Sequence, residues 1–435
     1  MKDGVKMKIP ITKPYFDKCE KNKILEPLET GWLVQGPNVE KFQTMFSEFT
    51  HSKYAIATSS CTTALHLGLI ALGIKPGDSV IVPSFTYIAS ANAIEYTGAK
   101  PIFCDINPFT FNIDETKLEA VIEKNKNVKA IMPVNLFGLC ANLPKIIEIA
   151  KKYNLKVIED SACGFDAWIQ NKHSGTFGDV GCFSFHPRKS ITTAEGGMLI
   201  TDNPEIANTV RILRDHGASK SDAQRHLEKG GSLLPEFNIL GFNYRMTDLQ
   251  GVLGVCQMEK AQLIMDKKRR IARMYDEALE TVTVYGDSKS SRKLADYLIP
   301  PYVPEGYKHG YQSYVCLFTG GEDVKKLLVT VDSDREEVAV NSDREKIKEI
   351  IDRINVKRNE FMRKLEEKGI ATRQGTHAVH TLGYYKRKYN LKDEDFIMSY
   401  AADRLSVALP LYAGMSDEEF EYVIDNIVTV ISDSL

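Results

Sequence analysis

Short aliphatic and β-branched runs recur through the first 200 residues, separated by stretches whose apolar positions fall three and four apart. The runs at 78–83, 100–105, 129–134, 155–160 and 196–201 are apolar almost throughout, as strands buried on both faces are. Between them, 62–73, 86–97 and 142–153 carry the spacing of amphipathic helices. In 86–97 the stripe runs through Ile88, Ala91 and Ile94. Such alternation predicts a largely parallel sheet with helices on both faces. Ligands of such sheets gather beyond the carboxyl ends of the strands, so polar residues there come first. After about residue 245 the rhythm changes. Met246 to Leu279 reads as one long helical region, followed by short strands around 311–318, a helix at 350–368 and a closing helix at 416–433. The expectation is an α/β chain: a large domain over 1–260 and a smaller α+β domain over 261–435.

Composition narrows the class. Across 435 residues there are 56 Lys and Arg against 58 Asp and Glu, a formal net charge of −2. No global field is available to hold nucleic acid or an acidic membrane surface. Hydrophobic residues at 43% and charged residues at 26% fit a globular chain with a large core. No apolar run approaches the length of a membrane span, and the charged N-terminus shows no signal-peptide pattern. The eight cysteines are scattered without CxxC spacing, several in apolar runs. That suits buried, reduced thiols in a cytoplasmic protein. The stretch 321–347 is unusually charged and reads as an exposed insertion or charged helix.

Several common chemistries lack their signature: there is no GxGxxG after a strand, no GxxxxGK[ST], no HExxH and no GxSxG. His377 and His380 stand three apart, but no neighbouring Cys or acidic residue completes a metal site, and no metal is expected.

Three pieces at expected strand ends carry chemistry. Thr58-Ser-Ser-Cys-Thr-Thr precedes a helical run, where free N–H groups and the helix dipole suit a phosphate; an ordinary N-cap reads the same. Asp160 closes the apolar strand Val157-Ile-Glu-Asp, where a carboxylate calls for a cation, a helix cap or an ion pair. Lys189 lies in the polar turn His186-Pro-Arg-Lys-Ser between two apolar runs, placed to form a Schiff base or to be a solvated surface lysine. Together they supply a phosphate cradle, a carboxylate for a pyridinium nitrogen and an amine for an aldehyde. Those are the demands of pyridoxal 5′-phosphate (PLP).

With these pieces in hand, the chain resembles the sugar-nucleotide aminotransferases of the DegT/DnrJ/StrS type, within the aspartate aminotransferase-like (fold type I) PLP enzymes. The resemblance runs from Gly31-Trp-Leu-Val-Gln-Gly-Pro through Pro83-Ser-Phe-Thr-Tyr, Glu159-Asp-Ser-Ala, Cys182-Phe-Ser-Phe-His-Pro-Arg-Lys and Glu195-Gly-Gly to Gly241-Phe-Asn-Tyr-Arg-Met-Thr-Asp. It implies a seven-stranded mostly parallel sheet, with the first 30 or so residues packing on the small domain. It also implies a homodimer with shared sites. By position, it makes Lys189 the cofactor lysine and acid/base and pairs Asp160 with the ring nitrogen. Phe85 would stack on the ring, and Cys61, Thr62 and Ser184 would hold the phosphate. Asn243 would reach the neighbouring subunit's phosphate. Cys163 stands where the family usually has Gln near the cofactor hydroxyl, and Ala194 where Gly is common. The implied reaction moves an amino group, from glutamate, to a nucleotide-linked 4-keto-6-deoxy sugar. Arg245, Tyr314 and His377 are the foremost substrate-binding candidates, with His309, Tyr311 and Arg373 beside them. A transaminase for a non-sugar ketone, or a non-catalytic protein on the same scaffold, are the alternative readings.

Overall fold

The apolar runs form one sheet, because each is long enough to cross the core and has no polar face to offer water. The computed structural model describes residues 7–218, 236–285, 291–333 and 340–433. Its main sheet contains β1 (Tyr54–Thr58), β2 (Ser79–Pro83), β3 (Lys100–Cys104), β4 (Val128–Ile131), β5 (Lys156–Asp160), β6 (Val180–Ser184) and β7 (Gly197–Thr201). The order across the sheet is β1-β7-β6-β5-β4-β2-β3. β2 to β6 pair in parallel with their neighbours, and β7 runs antiparallel to both β6 and β1. Successive side chains enter opposite layers. Val80 and Val82 pack with Leu65, Leu67 and Ile158, while Ile81 packs with Ile131, Ile146 and Val157.

The helical stretch expected over 246–279 is two helices, Asp248–Glu259 and Ala261–Thr281, broken at Lys260. Lys260 leaves helical geometry at φ −123° and its Nζ reaches the buried Glu20 carboxylate at 2.7 Å. The break turns that lysine onto the N-terminal arm. Ala261–Thr281 then spans two cores. Ile264 and Met265 pack with Phe42 and Phe46 beside the main sheet, and Ile271, Tyr275 and Leu279 pack in the C-terminal core.

That second core surrounds a three-stranded antiparallel sheet of Leu298–Ile299, Tyr314–Phe318 and Ser406–Leu409. The helices Val340–Glu367 and Asp417–Ser432 cover it with Ile354, Phe361, Val423 and Ile427. Within the charged stretch 321–347 lie the helix Val324–Ser333 and the start of Val340–Glu367; residues 334–339 lie outside the described residues. The N-terminal arm crosses to this side. Ile9 exchanges backbone bonds with Gly369 and Ala371, and Leu411 N–H donates to the Ile11 carbonyl at 3.0 Å. Farther along the arm, Cys19 is disulfide-bonded to Cys256. This corrects the expectation of unpaired, reduced thiols. The two lie 237 residues apart, so no spacing motif could announce them. The other six cysteines are free. No helix among the described residues is long and apolar enough to cross a membrane.

Two short pairings tie the halves together. His377–Ala378 adds antiparallel to Phe85–Thr86, and Trp168–Ile169 pairs with Tyr307–Lys308. Beside the second, the buried Asp166 carboxylate bonds Arg269 at 2.5 Å, the Trp168 indole at 2.6 Å and Lys308 at 3.0 Å. Burial raises its pKa, but Arg269 and the other donors outweigh that and hold it below the ordinary value.

The turn between β6 and β7 holds Ala194 at φ +70°, the left-handed region a Cβ disfavours. Ala194→Gly should therefore stabilise the protein by about 0.5–1 kcal/mol, the relief of that strain less the extra chain entropy of glycine. A higher denaturant midpoint at unchanged slope checks this; a lower midpoint would contradict it.

Candidate active site

The parallel strands end on one edge, and the polar residues following them meet there. After β1, Ser60 caps the helix Cys61–Ala71: its hydroxyl accepts from Thr63 N–H at 3.2 Å while its own N–H donates to Thr63 Oγ1 at 3.1 Å. The first-turn N–H groups of Cys61 and Thr62 precede the reach of helical bonding and are left for a ligand. β7 passes close beneath this turn. Gly197 is opposite both Thr58 and Ser184, and a Cβ on it would collide with the Ser60–Cys61 peptide. The cradle thus requires glycine at 197.

β5 delivers Asp160, only 4% exposed. Its Oδ2 accepts from Ser90 Oγ at 2.7 Å and its Oδ1 from Ala162 N–H at 3.0 Å. Burial pushes its pKa up; those hydrogen bonds and the charge of Lys189 offset part of the rise. A carboxylate so placed attracts a cation. Lys189, in the turn after β6, brings Nζ to 3.2 Å from Cys163 Sγ. Burial disfavours the Lys189 charge, yet Cys163, Cys61 and Asp160 outweigh burial and hold its pKa above the ordinary value.

Cys61, Thr62, Asp160, Cys163, Ser184 and Lys189 all line one cavity of about 540 Å³. Among them are N–H donors at a helix start, a buried carboxylate without a full ionic partner and an amine. This donor set fits a phosphate, a protonated ring nitrogen and an aldehyde, so the residues present fit PLP. The mouth is basic: Arg188, Arg373, His186 and His377 line it, against Glu195. Ile11 and Thr12 of the N-terminal arm complete a wall.

Other expected site residues fall elsewhere. Phe85 does not line the cavity: it is fully buried and packs its ring near Phe111 and Phe137. Tyr87, two residues on and 60% exposed, lines the cavity, as does Phe137. Of Phe-Thr-Tyr, Tyr87 and not Phe85 faces the cavity, because the motif does not say which aromatic the chain turns inward. Tyr314 also lies off the cavity, wholly buried, with its hydroxyl donating to Asp276 at 2.6 Å. Arg245 is ion-paired to Asp215 at 2.5 Å and does not line the cavity of its own chain. Asn243 is exposed at a bridge to Asp215. His309, buried and pushed down to about 3 by burial, stacks on Tyr311; neither lines the cavity. His377 and Arg373 do. His380 turns away, its ring bonded to Ser84 Oγ at 2.6 Å and to the Asp393 carbonyl at 3.0 Å. The sequence reading missed Ser90, whose spacing to Asp160 carries no signal, and Gln312, whose amide donates to the Arg188 carbonyl at 2.7 Å.

Against known proteins, the profile of the DegT/DnrJ/EryC1/StrS aminotransferase family matches residues 14–310 and 322–428. GDP-perosamine synthase of Caulobacter vibrioides is 33% identical over 418 residues, covering 96% of each chain. The spore coat polysaccharide biosynthesis protein SpsC of Bacillus subtilis is 32% identical, covering 97% of each. Among solved structures, the sugar aminotransferase Spr1654 of Streptococcus pneumoniae in its pyridoxamine phosphate form superposes with a TM-score of 0.81 at 25% identity, over 98% of this chain and all of the other.

The raised pKa of Asp160 gives a signed test. An acid whose folded pKa exceeds its unfolded value destabilises the fold once pH rises through that window. Cofactor-free Asp160→Asn should melt higher than wild type at pH 7, and the gap should close as pH falls toward about 4. The same variant should lose most turnover. A melting point lower than wild type at pH 7, or near-normal turnover, would contradict the assignment.

Proposed function

We propose that this chain, which belongs to the DegT/DnrJ/EryC1/StrS aminotransferase family and is a PLP-dependent aminotransferase, moves an amino group from L-glutamate to the keto group of a nucleotide-linked 4-keto-6-deoxyhexose. The observation that carries the reading is the meeting of Asp160 and Lys189 on the floor of a cavity whose mouth bears Arg188 and Arg373. The names of the relatives and neighbours support it: two GDP-perosamine synthases, a spore coat polysaccharide biosynthesis protein and an aminotransferase involved in the biosynthesis of pseudoaminic acid.

Bound PLP supplies an aldehyde that receives the amino group and a ring that stores the electron pair left when a proton departs from carbon. The chain does the rest. Cys61 and Thr62 N–H groups, with the Ser184 hydroxyl, hold the phosphate at the start of their helix. Asp160, steadied by Ser90, holds the positive charge of the ring nitrogen in place. Tyr87 offers its ring to the cofactor face. Lys189, when free, carries the proton between donor carbon and cofactor carbon, and its neighbours set when that amine is charged. The basic mouth binds the negative charge both substrates carry, as carboxylates on the donor and a diphosphate on the sugar.

A homodimer with shared sites is part of the proposal. Apolar side chains stand exposed at Leu25, Leu28, Leu33 and Val34, and again at Phe237, Ile239 and Leu240, which is 87% exposed. Exposed apolar side chains grouped in this way mark an interface. Asn243 lies beside the second group, and in this arrangement it serves the neighbouring cavity. The proposal sets the enzyme in the cytoplasm, on the strength of its six free cysteines, with the Cys19–Cys256 bond the one feature against a reducing compartment.

Two measurements test this. With glutamate present, a panel of nucleotide ketosugars should yield an aminated product by mass; turnover of small ketones alone would replace the sugar assignment. Lys189→Ala mixed with Asn243→Ala, each inactive alone, should recover up to about a quarter of wild-type activity, since one site per mixed dimer is intact. No recovery after verified subunit exchange would remove the shared-site arrangement.

A further inference from the structure

Cys163 and Lys189 stand in turns that follow adjacent parallel strands, which is why a thiol and an amine 26 residues apart come within 3.2 Å. Both line the cavity and are reachable from solvent. Cys163 is a free, half-buried thiol. A second lysine borders it from the protein interior. Lys268 is 2% exposed and its Nζ donates to the Gln312 carbonyl at 3.1 Å, the only hydrogen-bond acceptor seen for it among the described residues. Burial drives Lys268 down to about 7, and the charge it does keep is favoured by Cys163. An accessible thiol 3.2 Å from an amine is placed for the two to be joined once its sulfur is oxidised.

We propose that the Cys163–Lys189 pair is an oxidative modification site: hydrogen peroxide joins the two side chains through a reversible sulfur–nitrogen bond that takes Lys189 out of service. In the first step the Cys163 sulfur attacks peroxide. An S–O bond forms, the O–O bond breaks, sulfur is oxidised, peroxide oxygen is reduced and water leaves. In the second step the Lys189 nitrogen attacks that sulfur. The S–N bond forms, the S–O bond breaks, and a second water departs with the proton from nitrogen. The pair is left two hydrogens lighter. Two equivalents of an external thiol reverse it, returning the free thiol and amine with one external disulfide.

The structure also says why the second step follows the first. Cys163 heads the groups that hold the proton on Lys189, against burial, which disfavours the charge. Once the sulfur is oxidised that support is lost, leaving Cys61 and Asp160 alone against burial, which favours the neutral, nucleophilic amine facing the sulfur. Other cysteines compete poorly: Cys61 and Cys182 are buried, and burial pushes their thiols well up.

The test is peptide mass spectrometry after peroxide treatment of the cofactor-free protein. The Cys163 and Lys189 peptides should be joined with loss of two hydrogens and separate on dithiothreitol. Uptake of PLP, read as visible absorbance, should fall in step and recover. Cys163→Ala should give no joined peptide. A sulfinic acid at Cys163, a disulfide to Cys61 or an unmodified thiol under the same treatment, with Lys189 free, would overturn the inference. Loading with PLP should protect the pair, and adding the amino donor should remove the protection. This arm rests on Lys189 being the cofactor lysine. Crosslinking that PLP does not prevent would uphold the pair and sink that assignment instead.

Discussion

A carboxylate withdrawn from water needs positive charge within reach, and the site is arranged around that demand. Asp160 ends the fourth strand of a seven-strand row, where neighbours on both sides exclude solvent. Ser90 and the Ala162 N–H orient it without neutralising it. The missing charge must come from Lys189 or from a ligand. The parallel connections bring the turns after β1, β5 and β6 to the same edge, so helix start, carboxylate and amine face one cavity instead of three surfaces.

The remaining parts of the molecule hold that edge closed. Asp166, Arg269 and Lys308 pin the C-terminal half to the main sheet, and the pairing of His377–Ala378 with Phe85–Thr86 carries Arg373 and His377 to the cavity mouth. Ala261–Thr281 threads both cores, so the two halves share a helix and not a linker. A domain boundary drawn at 260 falls at the break between two helices, and side chains on both sides of it belong to the core of the main sheet.

The sheet was legible because buried parallel strands are continuous apolar runs, a pattern that survives without any knowledge of partners. Asp160 and Lys189 were legible for the complementary reason: a charge at the end of such a run is conspicuous. Contacts set by tertiary geometry were not. Ser90 and Gln312 are ordinary polar residues until folding places them. Phe85 and Tyr87 differ only in which way the chain turns after β2, and Tyr314 sits in a strand whose inner face is core. The Cys19–Cys256 bond joins distant segments that no spacing relates. The break at Lys260 reflects a buried glutamate on an arm 240 residues away.

The N-terminal arm sets the order in which the cavity can be completed. Ile11 and Thr12 line the cavity from the N-terminal arm, and Ile11 is held by Leu411, far along the chain. The strands of the main sheet all lie between Tyr54 and Thr201, so the sheet can form before the more distant segment that closes this wall has joined it. The phosphate cradle and the lysine therefore exist before the pocket that selects among ligands.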